Sequence, residues 1–215
     1  MDIETGNKIN KRITIIDYGM GNIHSLSSAI NFLGYEVFIS NSHDEIMNST
    51  HLILPGVGEF RTAMSNLKNL GLVDLLKEIY KLNKIKILGI CLGMQLLAES
   101  SEEGGQSKGL GIIPGPVVSL EKLGASRVPH IGFNEVSFTN KSILGRWSKS
   151  PKDFYFVHSY CLSECNDNFE GIRGITEYGA KFISSYEKDL IYATQFHPEK
   201  SQTNGLYLIN SFLSL

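Results

Sequence analysis

The first half of the chain alternates short apolar runs with segments whose apolar residues recur at helical spacing. Residues 13–17 form a β-branched run, and residues 23–33 carry apolar side chains three or four positions apart. The first pattern predicts a buried strand and the second a covering helix. The same alternation predicts further strands at 35–40, 51–54 and 86–90, and helices through Ala63, Leu67 and Leu70, over 72–82, and over 92–99.

The second half is dominated by strand patterns. They predict strands at 116–120, 135–138, 154–157, 182–186 and 191–196, before a closing helix at 206–213. Strands alternating with helices indicate a parallel sheet covered on both faces, here with extra strands in the second half. No repeat or linker divides the chain, so we predict one α/β domain at 13–215 behind a polar leader at 1–12.

Composition narrows the classes of function. The chain has 215 residues, 42% of them apolar and 20% charged, and its net charge of −2 provides no basic field for nucleic acid or a membrane anchor. The leader lacks the apolar stretch of a signal peptide, and no apolar run approaches the roughly 20 residues that span a bilayer. With three cysteines, an odd count, the sequence predicts a cytoplasmic protein in a reducing compartment.

Cys91 lies at the junction of a predicted strand and a predicted helix. Ligands of open parallel sheets bind at the carboxyl ends of strands. Gly89 and Gly93 flank the cysteine as glycines flank the serine of a G-x-S-x-G nucleophile elbow, where the turn leaves no room for bulk. A helix N-terminus favours thiolate, and the N–H of Leu92 can donate to a developing oxyanion. We predict that Cys91 is a nucleophile, the alternative being a buried structural cysteine.

His197 and Glu199 follow the last predicted strand. On an extended segment, side chains two positions apart point to the same side, and Pro198 stiffens the link between them. A carboxylate beside an imidazole fixes its tautomer and stabilises its protonated form. The sequence therefore predicts a Cys91–His197–Glu199 triad, the alternatives being a satisfied histidine and a solvated carboxylate.

Six segments, taken in order, resemble the class I (triad) glutamine amidotransferases. They are DYGMGN at 17–22, PGVG at 55–58, GICLGMQLL at 89–97, VPHIGFN at 128–134, YFVHSY at 155–160 and QFHPEKS at 195–201. The PGVG and VPHIGFN segments narrow the resemblance to the glutaminase subunits of imidazole glycerol phosphate synthase. Phe133 is a departure, because that position in the family usually holds a tryptophan; the change concerns the partner more than catalysis.

The resemblance implies a flavodoxin-like fold and hydrolysis of glutamine to glutamate and ammonia. Cys91 would attack the amide, His197 would transfer protons, and Glu199 would orient His197. The oxyanion hole would use backbone N–H groups of Leu92 and of Val57 or Gly58, after a peptide reorientation that keeps the isolated subunit slow. The implied substrate-binding residues are Gly58, Gln95, Glu103, His158, Ser159 and Tyr160.

Ammonia released openly is lost to bulk water, so this chemistry requires a second active site sealed against the first. The resemblance implies a heterodimer with a (β/α)8-barrel cyclase, making imidazole glycerol phosphate and an aminoimidazole carboxamide ribotide in histidine biosynthesis. No metal or organic cofactor is implied, since Cys161 and Cys165 lack the further ligands of a zinc site. The alternatives are the same glutaminase feeding a surface-sugar synthase, a stand-alone cysteine hydrolase, and a non-catalytic binding module.

Overall fold

The computed structural model describes residues 11–148, 150–163 and 170–215. The elements up to the cysteine turn are β1 (Ile13–Ile16), α1 (Ile23–Phe32), β2 (Val37–Ser40), α2 (His43–Met47), β3 (His51–Leu54), α3 (Phe60–Asn69), α4 (Leu72–Leu82), β4 (Lys86–Ile90) and α5 (Leu92–Leu97). Those that follow are β5 (Ala98–Ser101), β6 (Ser107–Lys108), β7 (Ile113–Ser119), α6 (Leu120–Leu123), β8 (His130–Phe138), β9 (Lys152–His158), β10 (Tyr160–Leu162), β11 (Ile172–Glu177), β12 (Lys181–Lys188), β13 (Ile191–Thr194), a 3-10 turn (Pro198–Lys200) and α7 (Gln202–Leu213).

The parallel half of the sheet consists of β1 to β4 together with β13. Its strand order is β2-β1-β3-β4-β13, and every neighbouring pair is parallel. Strands β1, β3 and β13 are buried along their whole length. Helix α1 packs Leu26 and Ile30 on one face of the sheet, and α4 packs its apolar stripe on the other. This arrangement confirms the predicted α/β fold with a mostly parallel, covered sheet.

The antiparallel half consists of β8 to β12. Strand β12 pairs with β13 and with β10 and β11, while β8 joins β11 and carries β9 at its other edge. Beyond β10, strands β7, β5 and β6 continue the sheet. The extra strands predicted in the second half are present, although the sequence patterns missed β5, β6, β10 and β11 because these are short or irregularly buried.

Several predicted boundaries were wrong. The helix predicted over 92–99 ends at Leu97, because the carbonyls of Leu96 and Leu97 accept hydrogen bonds from the N–H groups of Leu110 and Ile112 and Ala98 begins β5. The strand predicted over 191–196 ends at Thr194. The last helix begins at Gln202, four residues before the predicted start, since its polar first turn is invisible to apolar periodicity.

The short helices α2 and α6 were also absent from the sequence prediction. Each has only four or five residues, too few to show a helical period. None of the helices within the described ranges is long and apolar enough to cross a membrane. The predicted leader falls mostly on residues 1–10, which lie outside the described residues.

Candidate active site

Cys91 occupies a strained turn between β4 and α5. Its backbone has φ 53° and ψ −109°, a left-handed conformation that a non-glycine residue adopts at a cost of about 1–3 kcal/mol. Two backbone hydrogen bonds hold it there: the Cys91 N–H donates to the carbonyl of Thr194 at 2.7 Å, and its carbonyl accepts from Gln95 N–H at 3.2 Å. The turn therefore has the form of a nucleophile elbow at the carboxyl end of a parallel strand.

The two glycines that flank the cysteine have no room for a side chain. A Cβ atom on Gly93 would lie 1.8 Å from the carbonyl oxygen of Leu54, and one on Gly89 would lie 2.7 Å from Cδ1 of Leu97. Both contacts are closer than real Cβ atoms make. The prediction that the flanking positions must lack bulk is confirmed. At Gly93 the reason is the close crossing of α5 over β3, and at Gly89 it is the close packing of α5 on β4.

His197 and Glu199 form a buried hydrogen-bonded pair. Nδ1 of His197 donates to Oε1 of Glu199 at 2.8 Å, and their side chains are only 2% and 3% exposed. The expected extended geometry is wrong, because Pro198–Lys200 forms a 3-10 turn. Proline suits the first position of such a turn, and the Ser201 hydroxyl donates to the His197 carbonyl at 2.6 Å and closes it. The pairing itself is formed as predicted.

The other ring nitrogen of His197 faces the cysteine sulfur. Nε2 is buried and has no partner at good hydrogen-bonding geometry among the described residues, as is common for catalytic contacts before substrate binds. Burial alone would lower the pKa of His197, but the Cys91 thiolate, as a charge and an acceptor, and the Glu199 carboxylate outweigh it and raise the pKa to about 10. The arrangement therefore favours the protonated, imidazolium form of His197 beside the cysteine sulfur.

A cavity of about 410 Å³ opens at the cysteine. Its volume falls within the roughly 300–1,000 Å³ of small-molecule sites. Nine of the residues that the sequence singled out line it together: Val57, Gly58, Cys91, Leu92, Gln95, Glu103, His158, Ser159 and Tyr160. Val157 and Lys200 complete the lining. His197 and Glu199 do not line the cavity and lie behind Cys91.

Gln95 lines the cavity, and the nitrogen of its side-chain amide is already bonded within the protein. Its Nε2 donates to the Tyr160 carbonyl at 2.8 Å and to Oε1 of Gln195 at 3.1 Å. Both amide hydrogens are therefore used within the protein. The Oε1 atom is what Gln95 can offer to a bound ligand, which makes it an acceptor for an amide or ammonium group.

The side chain of His158 is occupied by the protein itself. Its Nδ1 bonds the Tyr160 carbonyl at 2.9 Å and its Nε2 bonds Nδ1 of His130 at 3.1 Å. Burial lowers the pKa of His158 to about 3, so the ring is neutral. Any contact between His158 and a substrate would therefore have to use its backbone, and the substrate role of this residue stays a prediction.

Glu103 is the acidic residue of the cavity. Its Oε2 accepts a hydrogen bond from the N–H of Phe60 at the start of α3, at 2.9 Å. Burial raises the pKa of Glu103, the Phe60 N–H opposes that rise, and nearby Glu59 adds to it. The carboxylate is thus placed to attract a cationic group into the cavity.

Sequence reasoning missed three residues at this site. Gln195 is fully buried, and its Nε2 donates to the Cys91 sulfur at 3.6 Å. The signal that could have revealed it is a polar side chain directly after the wholly buried strand β13. His130 and Lys200 carry no such signal, because only the fold brings them to the cavity or to a residue that lines it.

The described residues were also compared with the requirements of a metal site. Within the described ranges, no three side chains of His, Cys, Asp or Glu are grouped as ligands for a metal ion. Cys161 is buried in β10, while Cys165 lies outside the described residues. The expectation that the site needs no metal or organic cofactor stays a prediction.

The fold and the site together define a class of protein: open α/β enzymes that carry a cysteine elbow beside a histidine–carboxylate pair. Within that class the chain belongs to the family "Glutamine amidotransferase class-I", whose model matches residues 14–215. The resemblance deduced from the six sequence segments is thereby confirmed.

Individual relatives are similar along nearly their whole length. The chain is 44% identical over 203 residues to "Imidazole glycerol phosphate synthase subunit HisH 1" of Campylobacter jejuni, covering 94% of this chain and 100% of the relative. It is 45% identical over 201 residues to "Imidazole glycerol phosphate synthase subunit HisH 2" of Methanococcus maripaludis, covering 94% and 98%. A crystal structure of a glutamine amidotransferase superposes with a TM-score of 0.72 at 16% identity, covering 94% and 98%, and supports the fold alone.

Proposed function

We propose that this chain is the glutaminase subunit of an imidazole glycerol phosphate synthase. The observation that carries the proposal is the cluster of Cys91, which lines a cavity of about 410 Å³, with the buried His197–Glu199 pair. Relatives named for that synthase match at 44–45% identity, which supports this particular assembly. The glutaminase domain would span residues 13–215 behind a leader at 1–12. We place it in the cytoplasm, since its thiol must stay reduced.

The first half of the reaction forms a thioester. The Cys91 thiolate attacks the side-chain amide carbon of glutamine, and the carbonyl oxygen becomes an oxyanion. The N–H of Leu92 is the first of its helix and has no intrahelical acceptor, so it is free to donate to that oxygen. An N–H of Val57 or Gly58 would be the second donor. The His197 imidazolium then gives its proton to the departing nitrogen, and ammonia leaves.

The second half returns the enzyme to its starting state. His197, now neutral, takes a proton from water as the water attacks the thioester carbon. The tetrahedral intermediate collapses to glutamate, and Cys91 departs as thiolate beside the protonated His197. Glu199 keeps Nδ1 of His197 bonded throughout, which leaves Nε2 to carry the proton in both steps.

Substrate recognition follows from the groups that remain free in the cavity. The carboxylate of Glu103 would pair with the α-ammonium group of glutamine, and Oε1 of Gln95 would accept a hydrogen bond from the substrate. Ser159 and Tyr160 also line the cavity and would contact the substrate backbone atoms. Gly58 has φ +113°, which lets its backbone approach a ligand closely.

Ammonia requires a partner that covers the mouth of the cavity. A rim of exposed apolar groups lies beside it: Ile131 is 60% exposed, Phe133 is 51% exposed, and the Phe133 ring packs edge-on against Tyr155 at 5.6 Å. Lys200, which lines the cavity, lies 5.9 Å from the Tyr155 ring. We propose that the (β/α)8-barrel cyclase binds to this surface, which we call the β8 rim: Ile131 and Phe133 of β8 with Tyr155 of the adjacent β9. The cyclase would use the ammonia to form imidazole glycerol phosphate and an aminoimidazole carboxamide ribotide.

The test combines partner capture with removal of the nucleophile. The chain, purified from native cells, should bring down a barrel cyclase, and adding that cyclase should raise glutamine hydrolysis. Replacing Cys91 by alanine should lower the stimulated activity by at least about a thousandfold. Cys161→Ala, which changes another buried thiol, is the matched control and should retain activity.

Other outcomes point elsewhere. Capture of a sugar-modifying synthase, with no stimulation by the cyclase, would support the surface-sugar alternative in place of the histidine pathway. Phe133, which departs from the usual tryptophan, is the residue of the sequence that concerns this choice of partner. Faster hydrolysis of peptides or esters than of glutamine would indicate a stand-alone hydrolase. Unchanged activity in Cys91→Ala would remove the proposed mechanism altogether.

A further inference from the structure

A continuous chain of buried and partly buried hydrogen bonds runs from the antiparallel half to the cysteine sulfur. Its members, in order, are Asn134, His130, His158, the carbonyl of Tyr160, Gln95, Gln195 and Cys91. None of these contacts belongs to the triad. These hydrogen bonds lead from β8 through β9 and β10 to α5 and to the residue after β13, and the last donor meets the same sulfur that faces His197.

The direction of every bond in this chain follows from one backbone group. The Tyr160 carbonyl can only accept, so Nδ1 of His158 carries a hydrogen and its Nε2 does not. Nδ1 of His130 must then donate to His158, and its Nε2 accepts from Asn134 at 3.4 Å. Burial lowers the pKa of His130 to about 4. Both rings are therefore neutral at physiological pH, as these tautomers require.

The same carbonyl also orients the two glutamine amides. Because Tyr160 accepts at 2.8 Å, the amide nitrogen of Gln95 must face it, and that nitrogen also donates to Oε1 of Gln195. With its oxygen fixed toward Gln95, Gln195 turns its NH2 group toward the sulfur. The reverse orientation would place two amide nitrogens together and aim an oxygen lone pair at the thiolate.

We propose that Gln195 is a positioning residue for the Cys91 thiolate, held in its donor orientation by Gln95 and the Tyr160 carbonyl. This inference rests on the proposed glutaminase function. Gln195 is fully buried and does not line the cavity, so it cannot touch glutamine. Its NH2 supplies a fixed donor to the sulfur, and hydrogen bonds to an ionised acceptor are stronger than neutral ones. The thiolate would thus be held between this amide and the His197 imidazolium.

The test must separate this donor from the other groups around the sulfur. Those that titrate and face it or share its cavity are Tyr18, Glu103, His158, Tyr160, His197 and Lys200. Two variants of the full-length chain leave all six in place. Gln195→Leu removes the donor at similar volume, and Gln195→Glu replaces the donor by an acceptor.

The main readout is alkylation of Cys91 by iodoacetamide across a pH series, followed by mass spectrometry of the peptide that bears Cys91. We expect the midpoint of the rate profile to move upward by about one pH unit in Gln195→Leu and further in Gln195→Glu. With the cyclase present, kcat for glutamine should fall about tenfold in Gln195→Leu while KM changes less than about twofold. A merely structural role would not move the alkylation midpoint.

Controls make each outcome decisive. Gln106→Leu changes an exposed glutamine and should keep the wild-type profile. Gln95→Leu leaves Gln195 present but unoriented, so it should shift the midpoint in the same direction by a smaller amount and raise KM as well; it serves as the test if Gln195→Leu does not fold. A wild-type midpoint in folded Gln195→Leu or, failing that, in Gln95→Leu would overturn the inference.

The alkylation profile also separates this inference from the proposed function. It reports on the sulfur without any turnover. A wild-type protein that fails to hydrolyse glutamine even with its cyclase would overturn the glutaminase assignment. A midpoint that is shifted in the Gln195 variants relative to that wild-type protein would still support the contact between Gln195 and Cys91.

Discussion

The parallel and antiparallel halves of the sheet contribute to the site in different ways. The parallel half is buried on both faces and presents Cys91 at the end of β4, where backbone geometry alone sets its position. In the antiparallel half, β8 alternates between buried and exposed residues and leaves Ile131 and Phe133 open to solvent. That half contributes orienting groups, the Tyr160 carbonyl and the histidine pair, and an exposed rim.

This difference shows how position and orientation can be determined separately. A tight turn fixed by close backbone crossing can hold a side chain such as that of Cys91 within a fraction of an ångström. The orientation of the side-chain amides of Gln95 and Gln195, by contrast, depends on the carbonyl of Tyr160, which lies 69 positions after Cys91 in the sequence. Substitutions in the parallel half should therefore disrupt the fold or the cysteine turn. Substitutions in the antiparallel half should leave the protein folded but change its activity, its pH dependence or its binding of the partner.

The largest expected effect comes from filling the elbow. Gly93→Ala places a Cβ atom 1.8 Å from the Leu54 carbonyl oxygen, and because the obstacle is backbone it cannot rotate away. We expect a loss of unfolding free energy above the roughly 1–3 kcal/mol usual for overpacking. Urea denaturation at neutral pH measures it, if the variant still folds.

The antiparallel half offers a matched glycine. Gly132 in β8 has φ +128°, but a Cβ atom there meets nothing within 4 Å. Gly132→Ala should therefore cost only its backbone strain, about 1–3 kcal/mol. Equal losses in the two alanine variants would contradict the argument that close crossing, rather than backbone angle, determines the elbow.

A smaller effect concerns acid stability. His51 begins β3, and burial, with Lys86 and Lys11 nearby, lowers its pKa to about 3. The unfolded chain binds this proton near pH 6.5, so the contribution is fully present above that pH and is lost as pH falls toward 3. His51→Phe should reduce the slope of unfolding free energy between pH 6 and pH 4 by roughly one proton, about 1.4 kcal/mol per pH unit.

His130 is the corresponding buried histidine in the antiparallel half, and burial lowers its pKa too. His130→Phe should also flatten the acid slope, but it removes the donor to His158 and so should lower stability at pH 7 as well. Urea denaturation of both variants between pH 4 and pH 7 distinguishes the two cases. An unchanged acid slope in His51→Phe would mean that His51 is not buried as a neutral ring.

The smallest effect on the isolated chain is expected at the β8 rim. Phe133→Ala removes a half-exposed ring and should change the free energy of unfolding by no more than about 0.5 kcal/mol. It should nevertheless weaken binding of the cyclase about tenfold or more, because aromatic residues dominate interface energies. Titration of the cyclase by calorimetry measures the dissociation constant.

The control for the rim lies at the opposite end of the sheet. Leu82 ends α4, is 45% exposed, and precedes the start of β4 rather than its carboxyl end. Leu82→Ala should leave cyclase binding unchanged. If the two alanine variants bind the cyclase equally well, the β8 rim is not the docking surface.

Much of the architecture could be predicted because the relevant signals are local. Short continuous apolar runs predicted β1, β3 and β4. The bounds of α4 agree with the prediction at both ends. Antiparallel pairing was harder to predict. Strand β10 is short and pairs with residues far away in the chain, while β11 is irregularly buried and its pairing with β12 shifts register. The expected extended geometry of His197 and Glu199 was wrong for a different reason, because local hydrogen bonds from Ser201 and Lys200 close the turn that holds them.

The sequence by itself determined which residues could carry chemistry here: a cysteine between two small residues at a strand end, and a histidine two positions from a carboxylate. Local spacing and side-chain type are sufficient for that. Only the tertiary structure decided that Cys91 and His197, 106 positions apart, lie together, and that Gln195 turns its amide nitrogen to the sulfur. Hydrogen-bond direction depends on which group lies opposite, and in this site most of those groups come from elements far away in the chain.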